Sequence, residues 1–311
     1  MQNLDFKKAI TYFRDDFVPF DQANLSIASS PVLYGLSVYT VFSVNWNDRQ
    51  KKLYAFRLDE HYKRLVNSAR IMDFHSFEEQ WTPEKFKDTM LELVHRNNVK
   101  EDALVRVTVF IDEVATGTKI HGLKNSLSAY VYPMGEILPR SGANLCVSSW
   151  IRNMDNSIPA KAKINGSYVN ASLMKNEALQ NGYDDAIALD HHGHVAESTV
   201  ANLFIVRNGV LATPDTSTDI LEGITRDSLL ELANKQSIKV EERSIDRTEL
   251  YKADEAFLCG TSAVITPVIS IDKRAIGNGQ IGPITKQLAE AYAKVQKGED
   301  QTYAAWLTAV N

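Results

Sequence analysis

A short break near the middle of the chain separates two stretches of differently patterned sequence. Residues 134–141 contain Gly135 and Pro139 and interrupt the apolar patterning on either side. Such residues are typical of a connecting segment rather than of a helix or strand. A length of 311 residues fits two modest domains. We therefore predict an N-terminal domain over 1–133, an interdomain linker over 134–141 and a larger domain over 142–311.

The first half combines strand-like and helix-like patterns. Residues 53–57 are strand-like, and Asp59 can cap the helix that follows. The apolar side chains of this helix recur at helical spacing: Leu58, Tyr62, Leu65, Ala69 and Met72. Thr82 and Pro83 begin a second helix, whose apolar stripe is Phe86, Met90, Leu93 and Val94. Three further elements are predicted downstream: a strand over 104–110, a polar loop over 115–125 and a strand over 127–132.

The second half alternates strands and helices. Its clearest turn signal is Asn208-Gly209, which predicts a hairpin between strands over 200–206 and 210–213. Gly182 indicates the end of a helix over 169–181. The other predicted elements are strands over 144–150, 185–190 and 255–259, a helix after Thr225 and a helix over 283–295.

The composition excludes several classes of function. Apolar residues make up 44% and charged residues 23% of the chain, close to the globular average, so a large core can form. The net charge of −5 and the absence of a basic run argue against a nucleic-acid partner. The first residues lack the apolar stretch of a signal peptide, and no apolar run is long enough to span a bilayer. We therefore expect a cytoplasmic protein without a membrane partner.

The cysteines and histidines do not form a metal-binding pattern. Cys146 and Cys259 each lie in apolar surroundings, which predicts buried free thiols and a reducing compartment. His191-His192-Gly193-His194 resembles a turn, and no carboxylate or thiol stands at ligand spacing around it. We predict no metal site.

Lys163 is the residue that most directly suggests chemistry. It lies in Lys161-Ala162-Lys163-Ile164-Asn165-Gly166-Ser167-Tyr168, among small and polar neighbours. A cofactor aldehyde, such as that of pyridoxal phosphate, needs a lysine whose amine can lose its proton. Partial burial beside other cations lowers the pKa of a lysine. Taken alone, a lysine is most often a solvated surface residue; the surrounding pattern favours the functional interpretation.

The other groups that this cofactor needs follow in order along the chain. Glu197 lies in an otherwise uncharged strand-like stretch and could pair with the ring nitrogen. Gly223-Ile224-Thr225 leads directly into a helix, and backbone N–H groups at a helix start bind phosphate. Gly260-Thr261-Ser262-Ala263 follows a strand and offers two hydroxyls with further N–H donors. Each element alone could be an exposed strand position, an ordinary cap or a plain turn.

The order and spacing of these segments resemble those of the fold-type-IV pyridoxal-phosphate aminotransferases, and most of all the branched-chain amino acid aminotransferases. The segments that carry the resemblance are Phe56-Arg57-Leu58-Asp59-Glu60-His61 with Arg64-Leu65, Ser148-Ser149-Trp150, Asn202-Leu203-Phe204, Gly223-Ile224-Thr225-Arg226-Asp227 and the run from Gly260 to Pro267. The similarity covers nearly the whole chain. It implies an α/β (α+β) fold, with a small N-terminal α/β domain and a larger domain around a β-barrel core.

The resemblance also implies roles for matching residues. Lys163 would bond covalently to the aldehyde of pyridoxal 5'-phosphate and then carry the proton between the substrate's α-carbon and the cofactor. Glu197 would pair with the pyridine nitrogen, and Tyr168 with the phenolic oxygen. The phosphate would be held by Arg64, Ile224, Thr225 and Thr261. The substrate would meet Tyr34, Tyr39, Arg106, Thr261, Ser262 and Ala263. Members pair as homodimers or larger homo-oligomers.

The substrate-facing sequence departs from the branched-chain pattern. Where those enzymes have Phe-Glu-Gly, this chain has Tyr39-Thr40-Val41, which looks more like the family's (R)-amine transaminases. Where they have Tyr-x-Arg, this chain has Leu104-Val105-Arg106, so the arginine is kept and the tyrosine is lost. Arg106 can either reach solvent or hold the side-chain carboxylate of glutamate by a paired hydrogen bond. Tyr39 can hydrogen-bond the substrate or only narrow the pocket.

These observations leave three enzymatic hypotheses. The first is a transaminase that moves the amino group of hydrophobic L-amino acids to 2-oxoglutarate by a ping-pong mechanism, as in EC 2.6.1.42. The second is a transaminase for (R)-amines or D-amino acids, and the third is a lyase of the aminodeoxychorismate type. In the first two, the partners are a small-molecule amino donor and a keto-acid acceptor.

Overall fold

The computed structural model describes residues 8–115 and 117–310. The chain divides into two compact units, and neither unit is one continuous segment. The first unit comprises Met1–Met134, Ala162–Gly166 and Lys294–Asn311. The second comprises Gly135–Lys161 and Ser167–Ala293. Lys163 therefore belongs to the first unit, although it follows residues of the second along the chain.

The strands and helices predicted before Met134 occur in the predicted order, among further elements that the sequence analysis did not predict. The strands are β1 (Ile10–Phe13), β2 (Asp16–Pro19), β3 (Ser37–Asn47), β4 (Lys52–Phe56), β5 (Ala103–Ile111) and β6 (Asn125–Pro133). The helices are α1 (Ser30–Tyr34), α2 (Leu58–Ile71), α3 (Phe77–Gln80) and α4 (Pro83–Arg96). Thr82 caps α4 as expected, because its side chain accepts a hydrogen bond from Lys85 N. The predicted loop over 115–125 ends where β6 begins, and Thr116 lies outside the described residues.

The start of α2 differs from the sequence prediction. Asp59 lies within the first turn, and the residue before the helix is Arg57 in a left-handed conformation, with φ of 49°. Asp59 therefore acts on the helix through its negative charge near the N-terminus rather than as a cap. The apolar stripe is buried as predicted at Leu58, Tyr62, Leu65 and Ala69, whereas Met72 stands just after the helix and is only partly buried.

Elements after Met134 include the expected hairpin and helices. The strands are β7 (Ala143–Val147), β8 (Asp185–Leu189), β9 (Val195–Ser198), β10 (Asn202–Arg207), β11 (Val210–Thr213), β12 (Val240–Glu242), β13 (Glu255–Gly260), β14 (Val264–Ile271), β15 (Arg274–Ala275) and β16 (Leu307–Val310). The helices are α5 (Tyr168–Gln180), α6 (Ile224–Lys235), α7 (Arg247–Leu250) and α8 (Pro283–Gln296). Asn208 and Gly209 both have positive φ, as a tight two-residue hairpin turn requires.

The first unit contains a seven-stranded antiparallel sheet in the order β16-β4-β3-β5-β6-β1-β2. The long strands β3 and β5 lie side by side at its centre, with Val41 opposite Arg106. Helix α2 packs against β3. Phe42, Leu65 and Phe110 are among the fully buried side chains that hold this unit together. Each such burial contributes about 1.5–3 kcal/mol of transfer free energy.

The second unit contains a nine-stranded mixed sheet that curls into a half-barrel. Its hydrogen-bonded order is β12-β11-β10-β13-β14-β7-β8-β9, with β15 paired to β14. Strands β7 and β8 are parallel neighbours, and α5 lies in the connection between them, as a parallel pair requires. The core is lined by aliphatic residues of these strands, such as Leu145, Leu203 and Leu258. The predicted mixed fold class is confirmed.

Candidate active site

The backbone at Lys163 is held against β3 and α2 of the first unit. Ile164 forms an isolated antiparallel bridge with Val38, and Tyr39 N donates to the carbonyl of Lys163 at 2.9 Å. On the other side, Lys163 N donates to Ser68 Oγ at 3.1 Å. The position of the lysine is thus set by one strand and one helix rather than by a loose surface loop.

The ring of Tyr39 carries two cations of the first unit. Tyr39 is only 4% exposed, and its ring centroid lies 5.0 Å from Lys163 Nζ and 3.7 Å from Arg106 Cζ. A guanidinium or ammonium over an aromatic face is attracted by the ring quadrupole. Arg106 also donates to Asn165 Oδ1 at 2.5 Å. We call Tyr39, Lys163, Arg106 and Asn165 the Tyr39 cluster.

Two glycines of the first unit allow a close backbone approach beside this cluster. Gly35 has a φ of 68° and accepts a hydrogen bond from Gly166 N at 3.2 Å. A Cβ on Gly35 would lie 2.7 Å from Gly166 Cα, a distance that real Cβ atoms do not adopt. Gly166 is one of the small residues predicted to let the cofactor approach, and it also allows the close backbone approach of Gly35. The preceding Tyr34 ends α1 and is 42% exposed.

Arg64 lies on α2 in the same unit, three residues after His61. Its Nη2 donates to Thr40 Oγ1 at 3.3 Å, and Thr40 Oγ1 lies 2.8 Å from His61 Nδ1. Burial lowers the pKa of His61 well below its ordinary value, and the charges of Arg64, Lys163 and Arg57 lower it further. His61 is therefore neutral at physiological pH.

Glu197 of the second unit is a buried carboxylate with three directed partners. It is 5% exposed, and its Oε1 lies 2.5 Å from Arg152 Nη2. Asn202 Nδ2 donates to Oε2 at 2.9 Å, and Leu221 N donates to Oε1 at 3.3 Å. Donors directed at a buried carboxylate favour its charged form. We call Glu197, Arg152, Asn202 and Leu221 the Glu197 cluster.

Helix α6 of the second unit begins against the Glu197 cluster. Gly223 is its extended N-cap residue, and a Cβ there would lie 2.0 Å from Asn202 Oδ1. Only glycine fits this position without moving Asn202. Ile224 and Thr225 form the first turn and are both buried, and Thr225 Oγ1 lies 3.3 Å from the hydroxyl of Tyr292. The first N–H groups of a helix have no partner within the helix and attract anions.

The turn between β13 and β14 places Thr261, Ser262 and Ala263 in succession. Thr261 and Ser262 are partly buried, and Ala263 is buried. The next residue, Val264, has a φ of 54°, which is a strained conformation for a β-branched side chain. Strain of this kind persists only where the surrounding structure imposes it, and it concentrates at functional sites.

The remaining predicted residue, Tyr168, is the first residue of α5 in the second unit and is partly buried. The residues predicted for the cofactor are thus distributed over both units. The first unit carries Lys163 and Arg64 with Tyr34, Tyr39 and Arg106, and the second carries Tyr168, Glu197, Ile224, Thr225, Thr261, Ser262 and Ala263.

These residues fit pyridoxal 5'-phosphate in kind. A buried, ionised glutamate suits a protonated pyridine nitrogen, because the opposite charges attract in a site of low dielectric. The glycine-led start of α6 leaves N–H groups for a phosphate dianion. Lys163 is a partly buried amine over the Tyr39 ring, which a second cation, Arg106, also contacts. The donor set therefore defines an enzyme class that works through this aldehyde cofactor.

Residues 37–271 match the family model of amino-transferase class IV, and the chain belongs to this family. It is an aminotransferase, and pyridoxal 5'-phosphate is the cofactor of its class.

Similar proteins agree with this assignment. A probable branched-chain-amino-acid aminotransferase of Aquifex aeolicus is 40% identical over 307 residues, covering 98% of each chain. The crystal structure of a branched-chain aminotransferase from Thermoproteus uzoniensis with norvaline has a TM-score of 0.92 and 37% identity, covering 97% of this chain and 99% of that one. The T.th. branched-chain enzyme complexed with N-(5'-phosphopyridoxyl)-L-glutamate has a TM-score of 0.91 and 35% identity, covering 99% of this chain and 100% of that one.

The sequence analysis missed several residues that the structure places at these clusters. Arg152 pairs with Glu197, although it comes only two residues after the Ser148-Ser149-Trp150 segment that carried part of the resemblance. His61 and Ser68 stand three residues before and four residues after Arg64, so they share its helix face. Polar residues at this spacing on the buried face of an amphipathic helix are the signal that could have identified them.

Proposed function

We propose that this aminotransferase moves the amino group of branched-chain, hydrophobic L-amino acids to 2-oxoglutarate by a ping-pong mechanism. The observation that carries the proposal is the arrangement of Arg106. Its guanidinium is half-buried on the Tyr39 ring and bonded to Asn165, yet within the described residues it forms no ion pair with a carboxylate. A desolvated guanidinium of this kind is suited to bind the side-chain carboxylate of glutamate or 2-oxoglutarate.

The hydrophobic amino donor is supported by the relatives. These relatives are named as branched-chain aminotransferases, and this chain aligns with nearly their whole length. One of the two solved structures contains norvaline, and the other contains a glutamate derivative. One apolar and one acidic amino acid are the two donors that a ping-pong exchange with 2-oxoglutarate requires.

The roles that we propose for the chain's own residues follow from their chemistry. When bound, the cofactor supplies an electron sink for the bonds at the substrate's α-carbon. Lys163 holds the cofactor through its Nζ and then carries the proton at the α-carbon. Glu197 keeps a proton on the ring nitrogen, and Tyr168 hydrogen-bonds the phenolic oxygen.

Binding is assigned to two further sets of residues. Arg64, Ile224, Thr225 and Thr261 bind the phosphate through one guanidinium, backbone N–H groups and hydroxyls. Thr261, Ser262 and Ala263 receive the substrate's α-carboxylate, while Tyr34, Tyr39 and Arg106 meet the substrate side chain.

Half-reactions test this proposal without choosing an acceptor in advance. Leucine, isoleucine and valine should each convert the bound cofactor from its aldehyde form to its amine form, which changes its absorbance. If none of the three changes the spectrum, the branched-chain assignment is wrong. The same assay with glutamate reports the second donor.

Arg106→Met tests the carboxylate subsite. We expect the KM for 2-oxoglutarate to rise about 10- to 100-fold, because a charge-assisted hydrogen bond is lost, while the half-reaction with leucine changes little. Arg96→Met is the matched control, since Arg96 also packs on an aromatic ring of the first unit but is exposed. An equal loss with leucine and 2-oxoglutarate would contradict a role specific to the acidic substrate.

A second candidate is a transaminase for (R)-amines or D-amino acids. It is favoured by the buried Leu104, which stands on the same face of β5 as Arg106 and supplies no hydroxyl, and by Tyr39-Thr40-Val41. Conversion of (R)-1-phenylethylamine but not of the (S) form would support this candidate. A lyase of the aminodeoxychorismate type is distinguished by pyruvate release when 2-oxoglutarate is omitted.

We also propose that the chain forms at least a homodimer in the cytoplasm. Trp150, Ile151, Val169 and Leu173 of the second unit are exposed apolar side chains. A hydrogen bond from Asn170 Nδ2 to the carbonyl of Ile151 joins the surface of residues 150–151 to that of α5. A second copy of the chain would cover these apolar side chains. Light scattering measures the mass of the oligomer directly.

The cytoplasmic location is supported by Cys146 and Cys259, which are free and buried, as in a reducing compartment. No helix within the described residues could span a membrane.

A further inference from the structure

Three polar residues on α2 turn toward the interior of the first unit. His61, Arg64 and Ser68 are spaced by three and four positions, which places them on one helix face. His61 is 1% exposed, and Ser68 is fully buried. Ser68 Oγ donates to the carbonyl of Arg64 at 2.9 Å and accepts from Lys163 N. The polar face therefore contacts residues of the proposed site rather than solvent.

The direction of each hydrogen bond at Thr40 follows from the chemistry of its neighbours. Arg64 can only donate, so Thr40 Oγ1 accepts from Nη2 at 3.3 Å. The hydroxyl proton of Thr40 is then free to donate to His61 Nδ1 at 2.8 Å. His61 thus carries its proton on Nε2, and one chain of hydrogen bonds runs from Arg64 through Thr40 to His61.

The surroundings of His61 keep its Nδ1 as the acceptor of the hydrogen bond from Thr40. The cations Arg64, Lys163 and Arg57 all act against a charged imidazole, and the ring is fully buried. A neutral ring continues to accept at Nδ1 throughout the neutral pH range. Thr40 itself is buried, and its other neighbours on β3 are packed, so its hydroxyl has little freedom to turn elsewhere.

We propose that Thr40 and His61 are positioning residues that hold the guanidinium of Arg64 in place for the cofactor's phosphate. The inference rests on the proposed function, which assigns Arg64 to the phosphate. It adds two residues that touch neither substrate nor cofactor and act only through Arg64.

The test compares the affinities of the purified enzyme for two cofactor forms, measured by equilibrium dialysis after the cofactor has been removed. Thr40→Val keeps the shape of the side chain and removes both hydrogen bonds. We expect the dissociation constant for pyridoxal 5'-phosphate to rise about 5- to 20-fold, with that for pyridoxal, which lacks the phosphate, unchanged within about twofold. The phosphorus NMR signal of the bound phosphate should also shift. Thr40→Ser, which keeps the hydroxyl, should restore both readouts.

Two controls separate positioning from a general loss of structure. Thr11→Val removes a buried hydroxyl of the same sheet that has no hydrogen-bond partner among the described residues, so it should leave both affinities unchanged. In an Arg64→Met background, Thr40→Val should have no further effect on phosphate-dependent affinity, because the two residues act in series. His61→Phe, which fills the same space without accepting a hydrogen bond, should resemble Thr40→Val.

Distinct results overturn distinct statements. If Thr40→Val weakens pyridoxal as much as pyridoxal 5'-phosphate, or has its full effect in the Arg64→Met background, the positioning role is wrong. If Arg64→Met alone leaves the affinity for pyridoxal 5'-phosphate unchanged, the phosphate assignment in the proposed function is wrong, and the inference falls with it. If the cofactor affinities behave as expected but no branched-chain amino acid reacts, only the substrate assignment fails.

Discussion

The Tyr39 cluster and the Glu197 cluster hold opposite charges in opposite ways. In the first, two cations contact one aromatic ring, and Arg106 adds one hydrogen bond to an amide. In the second, a carboxylate receives a guanidinium, an amide and a backbone N–H. A ring face attracts a cation over a broad range of positions, whereas three directed hydrogen bonds fix an anion in one.

This difference matches the tasks that the two clusters would perform. A lysine that carries a proton and an arginine that receives different substrates both gain from contacts that tolerate movement. A glutamate that keeps one ring nitrogen protonated gains from being immobile. The two clusters also differ in how closely their sequences follow the family pattern. The segments of the second unit follow that pattern, whereas Tyr39-Thr40-Val41 and Leu104 of the first unit depart from it.

The largest expected effect comes from Lys163→Ala. Removing the amine should reduce transamination by about 10³-fold or more, since both the covalent attachment and the proton carrier are lost. Single-turnover absorbance of the bound cofactor with leucine measures it. Lys161→Ala is the matched control, because the Lys161 amine instead contacts Thr216 and Glu222 of the second unit. Full activity in Lys163→Ala would remove the central role of the Tyr39 cluster.

An intermediate effect is expected when the Glu197 cluster loses its guanidinium. Arg152→Met leaves the carboxylate of Glu197 buried without its cation, which should lower the free energy of unfolding by about 3–5 kcal/mol. Urea unfolding of the enzyme after the cofactor has been removed measures this loss, because the pyridine nitrogen of a bound cofactor would itself pair with Glu197. Lys239→Met breaks an exposed ion pair with Glu241 in the same unit and should cost at most about 1 kcal/mol. Equal losses of unfolding free energy for the two variants would show that the ion pair of the Glu197 cluster stabilises the fold no more than an exposed ion pair does.

The smallest effect concerns the ring face of Tyr39. Tyr39→Leu removes the face beneath Arg106 and should raise the KM for 2-oxoglutarate about fivefold. Tyr39→Phe keeps the face and should behave like the natural enzyme if only the ring matters. A large effect of Tyr39→Phe would instead indicate that the hydroxyl binds substrate, and would make this cluster as directional as the other.

Much of the local structure could be predicted from the sequence, because it depends on short-range patterns. The helical stripes of α2 and α4, the hairpin at Asn208-Gly209 and the end of α5 near Gly182 were all predicted and are observed. The residue that precedes α2 was not predicted correctly, because Arg57 adopts a left-handed conformation that its residue type rarely takes.

The long-range parts of the candidate site were less accessible. The bridge between Val38 and Ile164 joins residues far apart in sequence, and no local pattern specifies such a pairing. Arg152 was missed for the same reason, since a lone arginine carries no signal of its partner until the fold brings Glu197 beside it. The individual roles of Lys163, Glu197, Arg64 and the other predicted site residues remain predictions.

The interrupted course of the first unit has a consequence for protein engineering. Its residues come from three separate stretches, and the short middle stretch, Ala162–Gly166, contains Lys163, the lysine proposed to hold the cofactor. A chimaera that exchanged only residues 1–133 between relatives would transplant β3 and β5 but leave Lys163, Asn165 and the edge strand β16 from the other parent. Recombination meant to transfer substrate preference should therefore exchange all three stretches together, because they fold as one unit although three separate gene segments encode them.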